Sequence, residues 1–245
     1  MNRPCLKNRS RSRLSLLLLA LSLIPAASAA DVPLRPFSAR YDLHNGKQHI
    51  ANTEIKLERA GDHWRWSSLT TAHGIYAWFT RKQPYTETSF SQAGGEFWIS
   101  EILITDARKK KNPEMARFDW NTGEMEVLRK GKRKQLQLRA AVYDYQSIHL
   151  LAAAMGQQQL ETTTIDFYRK GMLVKSELTY SGRQSLDING QTRDANVYEQ
   201  VVATSKSRIR YFYDAENPLL PLRIEKFEAG EKPTVMTLRQ VDWEL

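Results

Sequence analysis

Phe37, Ala39, Tyr41 and Leu43 fall on one side of an extended chain, and Ser38, Arg40 and Asp42 on the other. That period of two recurs along most of the sequence. A segment so written has one dry face and one wet face, and must pair into a sheet to use them. Asn45-Gly46 follows at once as a hairpin signal, because such turns need positive φ. The return segment turns Thr53, Ile55 and Leu57 inward and Glu54, Lys56 and Glu58 outward; after Ala60-Gly61-Asp62, Trp64 and Trp66 share a face opposite His63 and Arg65.

Further strands are predicted at Tyr85–Ser91, Phe97–Thr105, Met115–Trp120 and Glu124–Arg129, the last two joined by Asn121-Thr122-Gly123. The pattern resumes at Thr162–Arg169, Leu173–Tyr180, Gln184–Ile188, Ala195–Ser205, Arg208–Tyr213, Leu222–Phe227 and Val235–Trp243. Gly171, Gly182, Asn189-Gly190, Asn217-Pro218 and Gly230 punctuate these segments. With no linker and no repeat, residues 31–245 read as one all-β sheet or barrel. One stretch departs from the period. In Asp144–Met155, the positions Ile148, Leu151, Ala152 and Met155 mark one helical face, with Asp144 as N-cap and Gly156 as stop. A shorter helical turn is predicted at Ile75–Phe79.

Residues 1–30 read as a cleaved signal peptide. Arg3, Lys7, Arg9, Arg11 and Arg13 precede an eleven-residue apolar run, Leu14 to Ile24, then Pro25 and small residues. Ala27-x-Ala29 or Ser28-x-Ala30 fits the cleavage rule, so the mature chain starts at Ala30 or Asp31. The run is shorter than the roughly 20 residues a membrane-spanning helix needs, and no later segment is apolar enough to span. Cys5, the one cysteine, leaves with this segment, which excludes disulfides, a thiol nucleophile and a lipid-anchored start. The expected location is the periplasm. The full chain has 36 Lys+Arg against 27 Asp+Glu, net +9; losing five basic residues leaves net +4, too little to argue for nucleic acid.

Several segments resemble a bacterial exported family known as domain of unknown function 3108. They are Phe37-Ser38-Ala39-Arg40-Tyr41, Gly74-Ile75-Tyr76-Ala77-Trp78-Phe79 with Tyr85-Thr86-Glu87, and Phe118-Asp119-Trp120 with Gly123. The helix Tyr145–Met155 and the closing Tyr211-Phe212-Tyr213-Asp214 and Leu220-Pro221-Leu222-Arg223-Ile224-Glu225 complete the likeness. The resemblance implies an antiparallel, strongly curved sheet or half-open β-barrel with one amphipathic helix near its open side. That arrangement is similar to the half-barrels of periplasmic lipoprotein carriers. It brings no catalytic residues with it.

The chemistry-bearing residues are sparse. His44, His49, His63, His73 and His149 form no HExxH or H-x-H pair, so no metal and no other cofactor is expected; His44 and His49 flank the first turn. No G-x-S-x-G elbow is present, and Asp42, Glu54 and Glu58 lie on wet faces. Two features remain. Trp64, Trp66, Tyr76, Trp78, Phe79, Tyr211 and Tyr213 could line the concave side of a curved sheet as a ligand wall, or fill it as core. Arg108-Lys109-Lys110-Lys111 and Arg129-Lys130-Gly131-Lys132-Arg133-Lys134 fall at one end of the sheet if the strands between them stack as hairpins. Lys109, Lys110, Lys111, Lys130, Lys132 and Arg133 would then form a basic rim for an anionic headgroup, or simply blunt exposed turns and edges. The leading expectation is a non-enzymatic binder of a hydrophobic or lipid-like ligand. An envelope interaction protein with a filled core is the alternative, and an envelope hydrolase has the least support.

Overall fold

The structure, a computed structural model, describes residues 31–80, 82–109, 112–205 and 207–244. The expected signal peptide and its cleavage point therefore lie outside the described residues. The first half of the chain supplies β1 (Phe37–Asn45), β2 (Gln48–Ala60), β3 (His63–Ala72), α1 (Tyr76–Phe79), β4 (Pro84–Ala93), β5 (Glu96–Asp106), β6 (Glu114–Asp119), β7 (Glu124–Arg129) and β8 (Lys132–Gln137). The second half supplies β9 (Val142–Tyr143), α2 (Ile148–Gln158), β10 (Thr162–Arg169), β11 (Met172–Ile188), β12 (Gln191–Val202), β13 (Arg208–Asp214), β14 (Pro221–Phe227) and β15 (Thr234–Trp243).

The fifteen strands of the described residues belong to one sheet, in the order β8-β7-β6-β5-β4-β3-β2-β1-β15-β14-β13-β12-β11-β10-β9. Each half is an antiparallel meander. The two meet where β15 returns to pair with β1, Phe37 opposite Trp243. Among the described strands only the short β9 runs parallel to its neighbour, β10. Bulges interrupt the ladders at Arg40/Tyr41, Ser89/Phe90, Tyr180/Gly182 and Phe212/Tyr213. Each adds local twist and bends its strand. The sheet curls until β6 and β10 meet through side chains: the Tyr168 hydroxyl donates to Glu114 Oε1 at 2.9 Å. The result is a strongly curved, half-open barrel.

The inward residues are those the period of two assigns. Phe37, Ala39, Tyr41, Thr53, Ile55 and Leu57 are buried. The first turn sits one residue later than the Asn45-Gly46 signal suggests. Asn45 still pairs with Gln48, and Gly46 and Lys47 make the turn, with positive φ at Gly46. Asn189-Gly190 does hold positive φ at both positions, between the paired Ile188 and Gln191. The segments expected at Leu173–Tyr180 and Gln184–Ile188 are one strand, because Gly182, at φ +99°, absorbs a bulge and does not reverse the chain.

Helix α2 lies within the curve of the sheet. The expected face, Ile148, Leu151, Ala152 and Met155, packs with Phe167, Leu178, Tyr198 and Tyr211. The opposite side is dry too: Leu150, Ala153 and Ala154 join the larger core with Trp66, Ile99, Ile102 and Phe212. A helix apolar all round belongs in an interior. Gly156 does not stop it; the helix runs on to Gln158 and ends at Gln159, which is left-handed at φ +54°. A Cβ at Gly156 would come within 3.1 Å of the Tyr198 hydroxyl, so this residue is small to let the helix approach β12. Among the described residues no helix is long and apolar enough to cross a membrane.

Candidate apolar cleft

The turn before α2 fixes the helix to the sheet. Asp144 Oδ1 accepts from the backbone N–H groups of Gln146 and Ser147 and from the Ser147 hydroxyl, and Oδ2 accepts from Thr88 at 2.8 Å. Burial raises the Asp144 carboxyl above the usual carboxylate range, and these hydrogen bonds work against that rise. Gln146 Nε2 donates to Ser68 Oγ on β3 at 3.0 Å. The first turn of α2 thereby stands against β3 and β4.

Between that turn and the sheet a cleft of about 380 Å³ remains open. Its walls come from β1 (Leu43), β2 (Thr53, Ile55), β3 (Ser68, Thr70), β13 (Ile209, Tyr211), β14 (Ile224, Lys226) and β15 (Thr234, Met236). Tyr145, Gln146 and His149 close it from the helix side. Ile55, Tyr211 and His149 are buried at its inner end, while Leu43, Thr70, Lys226 and Thr234 stand half-buried toward the strand ends. The volume falls in the range of small-molecule pockets, about 300–1,000 Å³, and mostly apolar walls with a few polar groups are what such pockets share. A larger hollow of about 870 Å³ is walled by Arg40, Asp42, Glu54, Asn189 and Arg239, charged and polar groups on the convex side. It offers an apolar ligand little.

His149 sits in a fixed setting. Its ring stacks on Trp66 at 4.9 Å between centroids and meets the edges of Tyr211 and Tyr213. Nδ1 lies 2.7 Å from the Tyr213 hydroxyl. Burial pushes the imidazole down to about 3 and the Tyr213 phenol well above its usual range, so both are neutral near pH 7. The Tyr211 hydroxyl donates to Gln200 Oε1 at 2.7 Å, and Gln200 Nε2 donates to Ser176. Tyr211 therefore presents its ring, not its hydroxyl, to the cleft.

The expected aromatic wall is divided by this arrangement. Tyr211 lines the cleft. Trp66 and Tyr213 lie behind it, fully buried, and shape it through His149. Trp64 packs half-buried against the main core further along β3. Tyr76 stands apart on α1, its hydroxyl on Gln48 Oε1 at 2.7 Å. The side chains of Trp78 and Phe79 lie outside the described residues. Sequence reasoning missed His149, Gln146, Ile209 and Met236; the last two carried a signal, since each alternates inward on its own strand.

The basic residues gather elsewhere. The β5–β6, β7–β8 and β10–β11 connections fall at one end of the sheet, which is also the end where β1 and β3 finish and β15 starts. Lys109 is exposed in the first of these connections, and Lys110 and Lys111 lie outside the described residues. Lys130, Lys132, Arg133, Lys134 and Lys170 surround a separate hollow of about 550 Å³ with Val127 and Met172. Arg133 is paired with Glu126 at 3.2 Å. The cation at the apolar cleft itself is Lys226, which holds Glu228 at 2.6 Å. His44, His49 and His73 lie in a row of mutually tilted rings with centroids 5.1 and 4.7 Å apart, and no three metal-ligating side chains are placed to hold an ion among the described residues.

A single curved sheet around a buried helix, with a cleft left between them, defines a β-barrel-like fold. Residues 40–238 match the family model DUF3108, protein of unknown function, and the chain belongs to that family. No curated protein matches it. Among solved structures it is similar to a β-barrel-like protein of domain of unknown function DUF1849 from Brucella abortus, with TM-score 0.59 and 11% identity over 87% of this chain and 99% of that one. At 11% identity that likeness speaks to the fold. Weaker likenesses are a protein described as exported, with a YmcC-like fold, from Bacteroides fragilis (TM-score 0.32, 5% identity, 88% and 99% covered) and one described as a lipoprotein from Parabacteroides distasonis (TM-score 0.34, 8% identity, 86% and 97% covered).

Proposed function

We propose that this protein is an exported, non-enzymatic binder of a hydrophobic or amphiphilic molecule, held in the cleft between α2 and the concave sheet. The observation that carries the reading is the cleft itself. Leu43, Ile55, Ile209, Tyr211, Ile224 and Met236 surround a space that the helix does not fill, although much of α2 is packed into the core on both sides. Each CH₂ buried there is worth about 0.8 kcal/mol, so a short alkyl segment offsets much of the cost of association. Export rests on residues 1–30, and places the mature chain in the periplasm.

The test is binding of the neutral dye N-phenyl-1-naphthylamine to the purified mature protein, with Ile55→Trp as the filled-cleft variant. Binding by the wild type and its loss in Ile55→Trp is the expected result. Equal dye binding by both, or by neither, removes the cleft from consideration.

A second reading is favoured by the basic hollow. Lys130, Lys132, Lys134 and Lys170 have no carboxylate partner among the described residues, and Met172 beside them is 52% exposed. An acidic envelope component would fit that surface. Lys130→Glu/Lys132→Glu, which leaves the cleft intact, separates the readings: loss of association with anionic vesicles but not of dye binding assigns the two surfaces separate roles.

A further inference from the structure

At the inner end of the cleft, the hydrogen bond of His149 fixes which ring nitrogen carries its proton. Tyr213 has one hydroxyl proton, and the only partner that hydroxyl has among the described residues is His149 Nδ1. If Nδ1 carried the proton, the buried Tyr213 hydroxyl proton would be left without an acceptor, which a dry interior penalises. The favoured arrangement has Tyr213 donating to Nδ1. A neutral imidazole that accepts at Nδ1 carries its hydrogen on Nε2. Nε2 makes no hydrogen bond to a described residue and is not among the buried polar atoms sealed away without a partner, while His149 forms a wall of the cleft. Trp66, stacked on the ring face, holds the imidazole in that orientation.

We infer that His149 Nε2–H is a fixed donor at the inner end of the cleft, and that the ligand places an uncharged oxygen acceptor there, such as the carbonyl of an ester or amide. This rests on the binding role proposed above and names the ligand's chemistry. A carboxylate fits less well at that end. No cation among the cleft's walls stands there, because Lys226 lies toward the strand ends and is held by Glu228. Burying an unpaired charge costs far more than burying a carbonyl that is hydrogen-bonded. The ligand is thus expected to enter acyl-carbonyl first, with Ile209, Ile224 and Met236 along its apolar part.

The experiment compares methyl octanoate with decane, its apolar counterpart of equal chain length, as competitors of N-phenyl-1-naphthylamine. Wild-type protein is set against His149→Phe/Tyr213→Phe, which removes donor and partner together and strands neither. The ratio of ester to alkane affinity should be about tenfold higher in the wild type, the worth of one buried hydrogen bond. An unchanged ratio overturns the inference and leaves hydrophobic binding standing. Displacement by neither competitor overturns both. ¹⁵N NMR of the wild-type imidazole needs no variant: a proton on Nε2 that shifts on adding methyl octanoate is expected, and a proton on Nδ1 refutes the assignment.

Discussion

At the scale of single residues, two buried titratable groups at the head of α2 oppose each other in their pH dependence. His149 is held neutral by burial, down to about 3 in the fold, against about 6.5 when exposed. The unfolded chain therefore takes up a proton that the folded chain refuses. Stability from this group is present above about pH 6.5 and is lost as pH falls toward 3. Asp144, raised by burial, works the other way: its contribution is present below the ordinary carboxylate pKa and is lost as pH rises through the folded value. Comparing the wild type with His149→Phe/Tyr213→Phe isolates the first effect. In urea unfolding, wild-type stability should fall more steeply than the double variant's between pH 6.5 and pH 4; parallel curves would mean that His149 is not buried neutral. Asp144 also has four donors to satisfy. Asp144→Ala strands these four buried donors at about 1–3 kcal/mol each and should cost at least about 4 kcal/mol overall. Asp144→Asn keeps the Oδ1 contacts and should cost less than half of that, as chemical denaturation would measure. The importance of His149 could not be read from spacing, because its partner Tyr213 lies 64 residues away and reaches it only through the pairing of β13.

At the scale of elements, the strands that alternate were legible and those that do not were missed. Strand β8, Lys132–Gln137, is exposed on nearly every residue, so its sequence announces a basic cluster and no dry face. It forms because β7 offers an open edge, Glu124 opposite Gln137 and Arg129 opposite Lys132. Its lysines then discourage a further chain from pairing there. Strand β9 has two residues and no period to detect. For α2 the predicted face was correct. The second dry face was hidden because Ala153 and Ala154 pack as core without announcing it. The helix is thus the plug of the half-barrel. Leu151→Asp puts an unpaired carboxylate between α2 and Phe167, Leu178 and Tyr198 and should cost more than about 3 kcal/mol. Lys132→Glu on the exposed edge should stay within about 0.5 kcal/mol. Thermal unfolding of the two variants checks this, and equal melting temperatures would mean that α2 is not docked.

At the scale of the molecule, the curvature that makes the cleft depends on a seam without a backbone ladder. Strands β1 and β15 are zipped along nine residue pairs, Phe37–Trp243 to Asn45–Thr234, but β6–β8 and β9–β10 touch only through side chains. There, Tyr168 donates to Glu114 Oε1 at 2.9 Å, Arg129 holds Glu114 Oε2 at 2.7 Å, and the Arg129 stem lies over Gly171. A Cβ at Gly171 would fall 2.9 Å from Arg129 Cδ, and the residue is at φ +74°, so glycine serves both the turn and the seam. Removing the Tyr168 hydroxyl leaves Glu114 paired with Arg129 and creates no stranded charge. Tyr168→Phe should therefore lose one hydrogen bond to a charged group, about 1.5–3 kcal/mol at most. The loss should be local, because the shared β1–β15 ladder does not depend on the seam. Amide hydrogen exchange should quicken in β8, β9 and β10 while β1, β2 and β15 keep their wild-type protection. If protection falls evenly across all strands, the seam belongs to the global folding unit and the barrel opens only by unfolding. If it falls only at the edges, the half-barrel can widen while its core stays intact, giving a ligand larger than the closed cleft a way in.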